Sequence, residues 1–135
     1  MTTMRHEGQT IQVFSVLRGE ALDIRSTPFG NVGRLFTGDG MEVVWVSKQN
    51  EEIDPDWFTQ SEVDLILIIQ GRLRVEFEQE NLEPMTLEPG EVMILPPNTR
   101  CRAYRWPRES EEASVFFAVY PIGVASNGQR QTNGV

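Results

Sequence analysis

The sequence predicts an all-β domain, closed into a barrel or folded as two packed sheets, on three observations. Short runs of β-branched and aromatic residues recur along the chain, punctuated by Gly, Pro, Asn and Asp. Three of these runs, Leu65 to Ile69, Val92 to Leu95 and Val115 to Tyr120, are apolar at consecutive positions, so both of their faces need cover. No stretch carries the periodicity of an amphipathic helix that would supply it. The cover must come from a second sheet, a closed barrel or a partner subunit.

The elements follow in order. Ile11 to Leu17, Ala21 to Arg25 and Val32 to Thr37 are short extended candidates between Gly, Ser and Pro residues. Met41 to Ser47 is a stronger strand, and Thr37-Gly38-Asp39-Gly40 before it reads as a tight turn. Val63 to Ile69 and Leu73 to Phe77 flank Gln70-Gly71 as a hairpin. In its second arm Leu73, Val75 and Phe77 alternate with Arg72, Arg74, Glu76 and Glu78, which sets one face in the core and one in water. Gly90 turns the chain into the strand Val92 to Leu95, which Pro96-Pro97 ends by removing ladder donors. Residues 1–10 read as a flexible N-terminus, 11–121 as one barrel domain and 122–135 as a disordered polar tail.

At 135 residues the chain is long enough to bury a core without staples. Twelve basic against twenty acidic residues leave a net charge of -8. That balance repels phosphate backbones and anionic lipid, so neither nucleic acid nor a membrane is an expected partner. Cys101 is the single cysteine, which excludes an intrachain disulfide and suits a reducing compartment. The polar N-terminus has no apolar run of the signal-peptide kind, and the expected compartment is the cytoplasm.

Two segments carry a recognisable pattern. Leu87-Glu88-Pro89-Gly90 through Cys101 resembles the second motif of the cupins, with Gly90 and Pro96 at matching spacing and Cys101 where the motif has histidine. Trp57 to Gly71 resembles the first motif, with Asp64 and Gly71 as its acid and glycine; its two histidines fall near Trp57 and Thr59. The resemblance spans roughly residues 30 to 121. It implies a cupin-type double-stranded β-helix (jelly-roll) barrel. It also implies a homodimer, since cupins commonly pair through sheet edges, as the strands apolar on both faces suggest independently.

A cupin metal site uses three imidazoles and a carboxylate, and the only histidine here is His6. No metal and no cofactor is therefore expected. Asp54, Asp56, Glu62 and Asp64 lie close in sequence and, with Cys101, leave open an atypical carboxylate and thiolate site, although hard and soft donors suit different metals. A solvated acidic loop and a small buried cysteine explain the same residues.

By the resemblance, the cavity is lined by Trp57, Thr59, Asp64, Cys101 and Arg105. Asp64 in an apolar barrel would have a raised pKa and is the candidate general acid or base, with Tyr104 as a second proton-transfer group. Cys101 has no histidine to activate it. Arg105 shares strand parity with Cys101 and could clamp a carboxylate or phosphate, while Arg100, Arg102 and Arg108 read as a balanced exposed strand. Trp45, Trp57, Phe58, Tyr104 and Trp106 are aromatic wall, core or interface, with Trp57 the expected pocket residue. The leading expectation is a metal-free domain that binds a small molecule. The alternative is a metal-independent isomerase, epimerase or lyase acting on a polar metabolite or sugar derivative. A purely structural dimer with a filled barrel is also open.

Overall fold

The computed structural model describes residues 2–6 and 9–123. They form eleven strands and one short 3-10 turn at Val16–Arg18, with no α-helix. The strands are β1 (Thr2–His6), β2 (Gln9–Val13), β3 (Leu22–Thr27), β4 (Gly30–Gly38), β5 (Met41–Lys48), β6 (Asp64–Gln70), β7 (Arg72–Phe77), β8 (Met85–Leu87), β9 (Val92–Leu95), β10 (Cys101–Trp106) and β11 (Ser114–Pro121). Among these residues no helix is long and apolar enough to cross a membrane.

Two antiparallel sheets make the jelly-roll barrel. One runs β3-β4-β5-β11-β6-β9 and the other β10-β7-β8. The last strand, β11, inserts between β5 and β6; its Phe116 and Ala118 face the core, while Phe117 and Val119 share the outward face with Trp45 and Val43. Val46, Ile66, Ile68, Phe116 and Ala118 from the larger sheet pack with Leu73, Val75 and Leu87 from the smaller one in a single core. Directly opposed residues share a face. The pairs Val44 with Ala118 and Ala118 with Ile66 therefore define an inward row.

The outward face of the larger sheet is only partly covered. Trp45 is buried there, and its indole N–H donates to the carbonyl of Val16 at 3.1 Å. On the far edge, Val92 and Ile94 of β9 stand 54% and 65% exposed.

Gly71 carries the hairpin between β6 and β7. It sits at φ +70°, and a Cβ there would lie 2.6 Å from the carbonyl oxygen of Ala113, so both conformation and space require glycine.

Within the stretch expected to be flexible up to residue 10, Thr2–His6 and Gln9–Val13 pair as an antiparallel ladder of β1 on β2. Of the tail assigned to 122–135, the part beyond 123 lies outside the described residues.

Candidate functional site

Asp64 opens β6 and pairs across from Leu95 of β9, which turns its side chain inward. It is 1% exposed, and neither carboxyl oxygen has a hydrogen-bond partner in the protein. Burial alone pushes its pKa up from 3.8 to about 7. It shares a cavity of about 30 Å³ with Phe58, Met93, Leu95 and Cys101. That volume holds a water molecule or two and no organic ligand.

Cys101 is buried in the same wall. Burial, reinforced by the neighbouring Asp64 charge, pushes its thiol up to about 12. A thiol held neutral in this way is an inert packing group rather than a nucleophile.

A second, larger cavity of about 190 Å³ opens beyond Phe58, which lines both spaces and stands between them. Its apolar wall is Val32, Val44, Ala118 and the Phe58 ring, and its polar groups include Arg25, Arg34, Glu42, Gln60 and Tyr120. Tyr120 and Glu42 are cross-strand partners, and the phenol donates to the Glu42 carboxylate at 2.6 Å. Arg34 pairs with Asp23 at 2.8 Å. The register between β3 and β4 shifts between Leu22 and Arg25, with Asp23 at φ +52°. This irregular edge brings Asp23 and Arg25 to the cavity mouth.

Three of the five expected cavity residues line neither space, and each has a physical reason. Phe58 and Cys101 form an isolated antiparallel bridge, with the Phe58 N–H to the Cys101 carbonyl at 2.7 Å and the reverse bond at 2.9 Å. Opposed residues share a face, so Phe58 takes the inward position beside Cys101, and Trp57 and Thr59 turn the other way. Trp57 lies under the Arg102 guanidinium, 4.3 Å from the ring centre. The Thr59 hydroxyl is buried without a partner.

Arg105 has the expected parity, opposite Leu73 as Cys101 is opposite Phe77. Its guanidinium is nevertheless held outside both cavities. It donates to Glu51 at 3.3 Å and to the Ser110 carbonyl at 2.6 Å. Tyr104 is likewise committed elsewhere, donating to Glu76 beneath Arg108. Of the aromatic set, Phe58 is the one that faces the cavities.

The donor set does not fit the metal centre that the resemblance implies. Trp, Thr and Cys occupy the three histidine positions, and two of those side chains turn away from Asp64. Among the described residues, no three His, Cys, Asp or Glu side chains come together as a metal site. Asp54 and Asp56 reach the rim of the small cavity without converging on Asp64 and Cys101.

Apart from Phe58, the residues of the larger cavity were not singled out from the sequence. Two signals were present: Val32 and Arg34 share strand parity, which places a charge in an inward row, and Glu42 interrupts the inward row of β5 in the same way. Both mark where a core row gives way to a mouth. The buried Lys48, at the end of β5, and Glu51, in the loop after it, gave no signal, since polar residues at a strand end or in a loop read as solvated.

No family model matches the sequence, and no curated protein matches it. Solved structures do resemble it. A Ralstonia eutropha protein provisionally described as a mannose-6-phosphate isomerase is 16% identical, with a TM-score of 0.65 over 84% of this chain and 100% of that one. A cupin domain from Schizosaccharomyces pombe is 13% identical, with a TM-score of 0.65 over 94% of this chain and 88% of its own. A cupin superfamily protein from Desulfitobacterium hafniense is 16% identical, with a TM-score of 0.55 over 68% and 76%. At these identities the likeness is one of fold: the chain has the cupin barrel.

Proposed function

We propose that this cupin barrel binds an organic small molecule in the cavity of about 190 Å³, without a metal, and that two copies of the chain pair. The observation that carries the binding reading is the make-up of that cavity: a continuous apolar wall with a few polar groups converging at its mouth. That is the composition of small-ligand sites generally. The neighbouring space at Asp64 is too small to serve.

A thermal-shift screen of small organic acids, alcohols, amines and sugars tests this, run on the natural chain and on Ala118→Leu, which narrows the cavity from its wall. At least one compound is expected to raise the melting temperature of the natural chain by several degrees at a concentration far above its Kd. That shift should shrink in Ala118→Leu. Shifts of equal size in both proteins, or none in either, would sink the proposal.

The second reading, a metal-independent isomerase, epimerase or lyase, has one observation in its favour. Asp64 is a buried, unpartnered carboxyl whose pKa of about 7 suits proton exchange near neutrality. Asp54, Asp56 and Phe58 line the small space around it.

Pairing is supported by the outward face of the larger sheet. Val92 and Ile94 are exposed on the edge strand β9, beside the half-buried Leu65 and Leu67 of β6. An apolar face ending at an open edge suits a second copy of the same strand. The double variant Val92→Lys/Ile94→Lys is expected to halve the mass measured by light scattering while leaving the β-type circular dichroism intact. A natural chain that is monomeric at 100 µM would overturn the dimer.

A further inference from the structure

We infer that the ligand of the larger cavity is a small monocarboxylate with an apolar body, its carboxylate held by Arg25 at the mouth; this rests on the binding proposal above. The assignment follows from which charges at the mouth are already committed. Glu42 accepts from Tyr120 at 2.6 Å and from Thr37 at 3.3 Å. Arg34 and Asp23 satisfy each other at 2.8 Å. Arg25 lines the same mouth and forms no ion pair or side-chain hydrogen bond among the described residues.

One uncommitted guanidinium matches one carboxylate, which it can grip with two parallel N–H donors. A dianion such as a phosphate monoester would have the same single partner while lying near the carboxylates of Asp23 and Glu42, so the mouth disfavours it. A cation would face Arg25 and Arg34 with no uncommitted carboxylate to receive it.

The body of the ligand is set by the wall and by size. Val32, Val44, Ala118 and Phe58 offer only carbon surface. A dry cavity of roughly 150 Å³ accommodates benzene, so about 190 Å³ suits a ring of that size with the carboxylate directed outward. Benzoate is the natural probe.

The test titrates benzoate, benzyl alcohol and benzylamine separately into the full chain, following backbone amide resonances at Val44 and Ala118. Benzoate is expected to saturate these shifts at a concentration at least fivefold lower than benzyl alcohol. Benzylamine is expected to be the weakest. In Arg25→Gln the benzoate Kd should rise at least fivefold with the benzyl alcohol Kd unchanged, and Arg25→Lys should recover part of the loss. Because Arg25 is exposed on an edge strand, neither variant endangers the fold. Benzyl alcohol binding as tightly as benzoate would refute the carboxylate assignment while leaving the cavity reading intact. Benzylamine binding best would reverse the sign of the site. Failure of all three would overturn both proposals together.

Discussion

Raising the pH from 5 to 8 is expected to cost the fold about 2 to 3 kcal/mol, and Asp64→Asn is expected to abolish most of that loss. Asp64 has its pKa raised by burial from 3.8 to about 7. Between those values the unfolded chain has released the proton and the folded chain still holds it. Folding then takes up a proton, and stability falls as pH rises through this window. Each pKa unit is about 1.4 kcal/mol, so the full penalty above pH 7 approaches 4 kcal/mol, most of it developed between pH 5 and 8.

Other shifted groups act elsewhere. Glu76, held low by the Tyr104 hydroxyl and, further, by Arg102, favours folding above its ordinary range and loses that contribution only in acid. Lys48, whose pKa burial depresses to about 8, makes stability rise with pH above 8. Cys101 opposes it from about pH 9, because its thiol stays protonated in the folded state. Urea unfolding of the natural chain and Asp64→Asn at pH 5, 6, 7 and 8 separates these effects. A natural chain whose stability is flat over that range would show that water or structural relaxation satisfies the carboxylate. The same variant also separates the two functional readings: unchanged ligand binding with loss of a screened turnover would favour proton transfer at Asp64.

The second large effect lies in the loop after β5. Glu51→Ala is expected to destabilise the protein by about 3 to 5 kcal/mol, because it leaves a buried cation with no counter-charge. The Glu51 carboxylate is 1% exposed and accepts from Arg105 at 3.3 Å and from Arg108 at 2.8 Å. Arg105 is itself 6% exposed and cannot turn to water, whereas Arg108, at 30%, can. Combining Glu51→Leu with Arg105→Met should therefore recover most of the loss. A double-mutant cycle by chemical denaturation measures this coupling. A loss below 1 kcal/mol in the single variant would mean that the network is relaxed by solvent.

Much of the barrel was legible in the sequence, for reasons particular residues make plain. The alternation in Leu73, Val75 and Phe77 gave β7 its inward face, and the continuous apolar run of β11 marked a strand that needs cover on both faces. Gly71 and Gly90 occupy positive φ, as turns at those positions require.

The site was less legible. Trp57, Phe58 and Thr59 contain no alternation that fixes which of them faces inward, and a slip of one residue exchanges cavity for exterior. Arg105 was given the right face, but its partner Glu51 lies 54 residues away, beyond any local pattern. Met85–Leu87 is too short to declare itself as a strand.

The bridge between Phe58 and Cys101 also sets a rule for anyone using this barrel as a design template. Transplanting the missing imidazoles by sequence position, at Trp57 and Thr59, would plant two ligands on the wrong side of the wall. The position that shares the chamber with Asp64 and Cys101 is Phe58, so a metal-binding graft has to be laid out from the backbone bridge and not from the motif spacing.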